Sequence, residues 1–214
     1  MKKAFGVKDF LNKKFKTLKF EGDWKLFCGE PEDNFSAIVY GMSGNGKTDF
    51  CIQFAKMLTR FDKVYYNSFE QGISKSLQEC LHRQQLASVN GRIIFGHMED
   101  YEAMKERLAR KKSPKFCFID SRDYMGLTAE QFKELKALFP KKCFVIICHE
   151  DGAKPKGNHG KSIEYMTDIK IRVRGFVAMP RSRFGGNEDY VIWEKGAADY
   201  REKLRELKQL KIKQ

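Results

Sequence analysis

The stretch Gly41-Met42-Ser43-Gly44-Asn45-Gly46-Lys47-Thr48 has the spacing G-x-x-x-x-G-K-[ST], the phosphate-binding P-loop pattern. Glycines at 41, 44 and 46 let the backbone turn tightly and aim its N–H groups at a polyphosphate. Gly41, Ser43, Gly44, Asn45, Gly46, Lys47, Thr48 and Asp49 are therefore the candidate nucleotide-binding set. Lys47 is placed to reach the terminal phosphates, and Thr48 to hold Mg²⁺ through its hydroxyl.

A second acid fits the same chemistry. Phe116-Cys117-Phe118-Ile119-Asp120 is an apolar run ending in a carboxylate, the form of a Walker B strand, and Asp120 is the second candidate Mg²⁺ ligand. In many P-loop enzymes a Glu directly after such an Asp activates water. Ser121 stands there in this chain, so the general base must come from elsewhere. Glu70, in Asn67-Ser68-Phe69-Glu70-Gln71-Gly72, is the first candidate, and Asp123 the alternative.

These residues need strands to carry them to one edge. Phe35–Tyr40 reads as a buried strand before the glycine loop, and Asp49–Leu58 as the helix after it. Strands are expected at Lys63–Ser68, Arg92–Phe95, Lys115–Asp120 and Cys143–Cys148. Helices are expected at Ile73–Gln84, Tyr101–Arg110 and Ala129–Leu138. That alternation predicts a mostly parallel sheet covered on both faces. In such a sheet the carboxyl ends of the strands share one edge, where Glu70 would meet the phosphate loop. Trp24–Cys28 reads as a short strand. Asp151–Lys161 reads as a mobile loop, and Ile169–Val173, Gly175–Met179 and Tyr190–Trp193 read as antiparallel edge strands. No repeat or low-complexity linker breaks the chain, so residues 1–214 are expected to form one domain. A basic N-terminal arm would occupy about 1–23, and a basic C-terminal helix about 197–214.

The net charge of +13 is unevenly placed. Met1–Phe20 carries seven Lys against Asp9 alone; Asp151–Arg183 and Lys195–Gln214 are also basic. Such patches suit an anionic polymer. In the arm, Phe5, Val7, Phe10, Leu11, Phe15 and Leu18 alternate with lysines, as in a short amphipathic helix or an arm packed on the core. No run of about 18 apolar residues points to a membrane span, and Met1–Val7 has no signal-peptide core. Six scattered cysteines form no C-x-x-C pair, which points away from zinc and toward a reducing cytoplasm, a host's if the chain is viral.

With these pieces in place, the stretch Phe35–Lys195 resembles the RecA-like ATPases, particularly the RadA/Sms and DnaB-type helicase branch. The resemblance implies a three-layer α/β sandwich with antiparallel edge strands, and ATP with Mg²⁺ as cofactors. A Glu follows the second strand in that branch, as Glu70 does here, although Ser68-Phe69-Glu70-Gln71 departs from the usual G-E-E-S-like setting. Ile146-Ile147-Cys148-His149-Glu150 is similar to the strand-end polar sensor, which makes His149 a candidate reporter of the γ-phosphate. Pro180-Arg181-Ser182-Arg183-Phe184-Gly185 resembles the K-x-R-x-G segment that serves a neighbouring subunit. By that likeness Arg183 is a finger acting in trans, and Arg181 takes the supporting Lys position. Lys154, Lys156 and Lys161 lie where the family places a DNA-contacting loop. The implied partners are DNA, single-stranded favoured, and further copies of the chain in an assembly such as a hexamer.

Three functions compete at this point. The first is an oligomeric ATPase acting on DNA in replication, recombination or repair. The second is a P-loop kinase for a small molecule or nucleotide, with Asp151–Arg183 as a lid over phosphates. The third is a nucleotide-dependent scaffold or loader without turnover.

Overall fold

The computed structural model describes residues 4–212, with side chains through Leu207. The chain enters through α1 (Val7–Leu11) and α2 (Gly22–Cys28) and then alternates strand and helix. The order is β1 (Ser36–Gly41), α3 (Lys47–Leu58), β2 (Val64–Ser68), α4 (Lys75–Arg83), β3 (Ile93–His97), α5 (Tyr101–Ala109), β4 (Phe116–Asp120), α6 (Arg122–Met125), α7 (Ala129–Leu138) and β5 (Cys143–Asp151). It closes with β6 (Lys154–Pro155), α8 (Gly157–Met166), β7 (Ile169–Arg174), β8 (Val177–Ser182), β9 (Tyr190–Val191) and α9 (Glu194–Ile212).

The strands form a sheet in the order β3-β2-β4-β5-β1-β7-β8-β9, with β6 paired to β5. The first six are mutually parallel, and β8 and β9 add antiparallel strands at one edge. Both faces are covered, because alternate residues of the central strands point into two separate cores. Ala37 and Val39 of β1 join Phe50, Phe54 and Leu58 of α3 on one side. Ile38 and Tyr40 join Phe132 and Leu135 of α7 and Ile163 of α8 on the other. Near-continuous apolar strands are what such double burial requires. This is the expected three-layer, mostly parallel α/β sandwich with antiparallel edge strands.

Two segments differ from the sequence reading. Trp24–Cys28 is part of helix α2 rather than a strand. Trp24, Phe27 and Cys28 recur at i, i+3 and i+4, which makes one helical stripe, and a run this short carries both periods. Trp24 stacks on Phe54 of α3 and on Tyr190 at 5.3 and 4.6 Å between ring centres. Asp151–Lys161 is ordered structure instead of a loop. β5 continues to Asp151 and returns at once through β6, pairing Asp151 with Lys154. Gly152 and Ala153 both have positive φ (57° and 68°), as a two-residue hairpin turn demands. α8 follows, with Gly160 packed on Pro155.

The termini are less embedded than the core. α1 buries no residue, and Phe5, Val7, Phe10, Leu11 and Phe15 are exposed; the arm is anchored by buried Leu18 and Phe20 and by a backbone bridge from Thr17 to Glu32. Met1–Lys3 and the last residues of the basic C-terminal stretch lie outside the described residues. Among the described residues no helix is long and apolar enough to cross a membrane.

Candidate functional site: a phosphate-loop cleft at the carboxyl edge of the sheet

β1 delivers the glycine loop to the carboxyl edge of the sheet, and α3 leaves from it. Gly46 precedes α3 with φ 93°, a left-handed conformation that favours glycine, and a side chain there would meet the Phe176 ring at 2.9 Å. The loop tip is fastened to the β7–β8 turn: Gly175 N–H donates to Asn45 Oδ1 at 2.7 Å and Phe176 N–H to the Asn45 carbonyl at 3.1 Å. Lys47 Nζ donates to the Met42 carbonyl at 3.0 Å, so its ammonium is held over its own loop.

A cleft of about 280 Å³ opens at this loop, lined by Ser43, Gly44, Gly46, Lys47, Thr48, Asp49, Glu70 and Asp120, with Gln71, Ser76, Cys80, Arg83 and Phe176 completing it. The acids widely separated in sequence thus come together. β2 and β4 pair in parallel with Ser68 beside Asp120, which carries Glu70 past the strand end toward the loop. Glu70 N–H donates to the Asp120 carbonyl at 2.9 Å, pinning the two strand ends to each other.

Asp120 is 6% exposed and accepts a hydrogen bond from Tyr66 Oη at 2.6 Å. Burial pushes its carboxyl up to about 6, and the Glu70 charge adds to the rise, while the Tyr66 bond and Lys47 pull the other way. A buried carboxylate this short of compensating charge is suited to a cation. Mg²⁺ takes hard oxygen ligands and few of them from protein. Asp120 with the Thr48 hydroxyl fits that demand.

His149, near the end of β5, brings its Nε2 within 3.5 Å of Glu70 Oε2, and Tyr124 packs against its ring. β5 lies between β1 and β4, so this side chain sits between the phosphate loop and Asp120 in strand order. Asp123 is placed differently. It is ion-paired with Arg122, and its Oδ2 accepts His149 N–H at 2.7 Å. Its carboxylate ties α6 to β5 and is not among the residues that line the cleft. Asp49 lines the cleft, but its carboxylate accepts from Arg83 and Gln84, each at 3.0 Å, which ties α3 to α4.

Other candidates lie away from the cleft. Arg183 and Arg181 sit toward the opposite edge of the sheet. Arg183 Nη1 reaches Asp168 Oδ1 at 3.4 Å, and Asp168 binds Ser36, the first residue of β1. The length of β1 therefore separates Arg183 from its own phosphate loop. Lys154 is paired with Glu164 of α8 at 3.3 Å, whereas Lys156 and Lys161 are exposed.

Tyr66 is a site residue that pattern reading passed over. Its signal was available, since a Tyr inside an otherwise apolar buried strand must find a partner for its hydroxyl. Phe176 was passed over too, because nothing local ties a hairpin turn to a loop some 130 residues earlier, the Asn45–Gly175 separation.

No protein-family model matches the chain, and no curated protein matches it by sequence. Its fold is similar to that of the KaiC-like protein PH0186 from the hyperthermophilic archaeon Pyrococcus horikoshii OT3, with a TM-score of 0.52 and 14% identity over 75% of this chain and 85% of that one. At that identity the likeness speaks to architecture alone, and together with the sheet order it makes this a RecA-like α/β fold with the glycine loop at its carboxyl edge.

Proposed function

We propose that this chain is a Mg²⁺-dependent ATPase of the RecA-like type that works as an oligomer on DNA in replication, recombination or repair. In this reading residues 1–214 form one motor domain, akin to the RadA/Sms and DnaB branch, with basic extensions at both ends. The observation that carries it is the convergence of Lys47, Thr48, Asp120 and Glu70 on one cleft from three separate strand ends.

The chemistry assigned to each residue follows from its place. Loop amides and Lys47 bind the β- and γ-phosphates, Lys47 leaving the Met42 carbonyl to do so. Thr48 and Asp120 would hold Mg²⁺, which would supply positive charge against the phosphates. A Glu70 carboxylate oxygen orients the attacking water and takes its proton. His149 Nε2 holds Glu70 and senses whether the γ-phosphate is present. Arg183 serves the cleft of a neighbouring copy, supported by Arg181, which is why the assembly is part of the proposal. Lys156 and Lys161, with the terminal basic segments, are offered to DNA phosphates, single-stranded DNA favoured.

One feature favours hydrolysis over the kinase alternative. The segment that would serve a kinase as a lid is built into the body of the fold as the β5–β6 hairpin, α8 and the β7–β8 pair, with Ile169, Ile171 and Val173 fully buried.

The test is ATP turnover with and without single-stranded DNA, read beside the mass in solution. Turnover stimulated by DNA in a multimeric species is expected. Turnover indifferent to single- and double-stranded DNA at low salt would remove the DNA role. Retained turnover in Lys47→Ala would remove the phosphate-loop assignment.

A further inference from the structure

The amino edge of the sheet, opposite the phosphate cleft, carries a row of cations that the assignments above leave unused. Strands β3, β2, β4 and β5 are neighbours in that order, and each is directly preceded by a basic residue: Arg92, Lys63, Lys115 and Lys142. One backbone hydrogen bond repeats from strand to strand. Val64 N–H donates to the Arg92 carbonyl at 2.9 Å, Phe116 N–H to the Lys63 carbonyl at 3.2 Å and Cys143 N–H to the Lys115 carbonyl at 3.0 Å. The four residues therefore stand one strand spacing apart, about 4.8 Å. Exposed Arg110, Lys111 and Lys112 precede Lys115 in one loop, and exposed Lys141 precedes Lys142 in the next. The basic arm runs alongside. Thr17 bridges to Glu32, and Lys16 and Lys115 both reach Asp33 Oδ2, at 3.4 and 3.0 Å. Two ammonium groups thus share one carboxylate. Lys142 Nζ has uncharged partners, the Ser113 hydroxyl at 2.7 Å and the Pro114 carbonyl at 2.8 Å. Burial holds its ammonium below the usual lysine range, and the neighbouring Lys115 charge adds to the fall. A groove of about 500 Å³ opens here, lined by Lys115, Lys141 and Lys142 and by apolar Leu138, Phe139 and Pro140. Asp62 also lines it, and its Oδ1 accepts the Lys63 N–H at 2.6 Å.

We propose that this row, with the arm beside it, is a track for the phosphate backbone of single-stranded nucleic acid, separate from the nucleotide cleft. The inference rests on the DNA reading above and deepens it by naming a surface. Excess positive charge held in a line attracts a linear polyanion, which releases its counterions on binding. Lysines act there as point charges that hold phosphates without reading sequence. The arm adds rings to the charge. Phe10 and Phe15 are 55% and 48% exposed, and Lys13 Nζ lies 5.0 Å from the centre of the Phe15 ring. Unpaired bases stack on such rings while their phosphates meet the ammonium groups. A polyanion without bases, such as an acidic protein segment, leaves the rings idle. Lys156 and Lys161 follow the carboxyl end of β5, so the track is a second contact at the other end of the strands. The five residues of β4, roughly 17 Å of strand, separate it from the Asp120 end of the sheet. Nucleic acid held there gains affinity and orientation, and the track supplies no group to the chemistry of the cleft.

The experiment measures binding of a fluorescein-labelled oligothymidylate to the full chain by anisotropy over a range of salt. Lys63→Gln, Lys111→Gln, Lys112→Gln and Lys141→Gln are combined in one variant; all four positions are exposed and lie outside the cleft. A phosphate contact to a single strand contributes about 0.7 to the slope of log affinity against log salt. The variant is expected to lose about 2–3 of that slope and at least about tenfold in affinity at low salt, with its ATP affinity unchanged. Lys156→Gln with Lys161→Gln is the comparison. An unchanged slope in the amino-edge variant would overturn the track, and a reduced slope in the comparison would then leave the DNA reading standing. No binding of oligothymidylate by the unaltered chain would overturn both. Polyglutamate that displaced the labelled strand as well as unlabelled oligothymidylate of equal charge would overturn the choice of nucleic acid and assign the row to an acidic protein. Acetylation of lysines in the unaltered chain, read by mass spectrometry, needs no variant. Oligothymidylate is expected to protect Lys63, Lys111, Lys112 and Lys141, and equal labelling with and without it would overturn the track even if the combined variant failed to fold.

Discussion

Tyr66 Oη stands 2.6 Å from Asp120 Oδ2, both inside the sheet's carboxyl edge, and donates its proton to the carboxylate. The two residues lie on neighbouring parallel strands, where Tyr66 is in register with Phe118, two residues before Asp120. The hydroxyl therefore reaches along the strand to occupy one carboxylate oxygen, Oδ2. Tyr66 also stacks on Phe118 at 5.4 Å, so the ring is held whether or not it carries the hydroxyl.

Tyr66→Phe should isolate the hydrogen bond. The ring packing survives, while Asp120 loses a donor at a site where burial already disfavours its charge. A hydrogen bond to a charged group contributes about 1.5–3 kcal/mol. The Mg²⁺ concentration needed for half-maximal nucleotide binding should rise by about tenfold or more. Nucleotide binding in the absence of Mg²⁺ should change little. An unchanged Mg²⁺ requirement would show that Tyr66 does no more than fill the core.

Glu70→Gln keeps the size and most of the polarity of the side chain and removes the base. With general-base catalysis worth about 10²–10⁴-fold, turnover should fall by that factor while ATP binding stays within a few-fold. Single-turnover rates alongside binding isotherms separate the two. Asp123→Asn is the control. Its carboxylate is spent on Arg122 and the His149 N–H, so its loss should lower stability more than the chemical step.

How much of this was legible beforehand depended on whether the signal was local. The glycine loop, the strand ending in Asp120 and the alternation of apolar runs are all properties of short windows, and the structure has them at the expected residues. Glu70 was legible by one further step, since parallel strands share a carboxyl edge. The failures lay where a short window supports two answers. Trp24–Cys28 carries an aromatic stripe that fits either period over a handful of residues. Asp151–Lys161 looked like a loop because Gly, Lys and Pro are common in loops, yet Gly152 and Ala153 make a two-residue hairpin turn and Gly160 packs a helix against Pro155. The pairings of Tyr66 with Asp120 and of Phe176 with the phosphate loop are purely tertiary, so no window of sequence contains them.

A pH-dependent contribution to stability should come from the stretch that follows β3. Glu99 accepts from Arg107 Nε at 2.7 Å and from Tyr65 Oη at 2.9 Å. The Arg107 hydrogen bonds hold its carboxyl below the ordinary 4.5, against the effect of burial. A carboxyl lowered in the folded state contributes stability that is fully present above the unfolded value and is lost as pH falls through the folded one. Glu99→Gln should therefore be less stable than the unaltered chain at pH 7, by about 1 kcal/mol for a partly exposed pair. The difference should shrink as the pH is taken below 4.5. Urea unfolding across that range measures it, and a gap that stayed constant with pH would assign the effect to packing.

Arg183 offers the sharpest test of assembly, because its own phosphate loop lies at the far end of β1. It is 61% exposed and its pairing with Asp168 is loose, so Arg183→Ala should unfold at nearly the same temperature as the unaltered chain. If the guanidinium completes a neighbour's site, the same change should lower turnover by about 10³-fold or more. It should leave the affinity of an isolated subunit for ATP unchanged. Mixing then discriminates between a trans and a cis role. Arg183→Ala subunits keep a sound Glu70, and Glu70→Gln subunits keep a sound Arg183, so a mixed assembly contains interfaces with both. Each variant alone should be inactive, and the mixture should regain a part of the turnover that grows with the fraction of such interfaces. No recovery at any ratio, in assemblies shown by mass to contain both chains, would remove Arg183 from the neighbour's site.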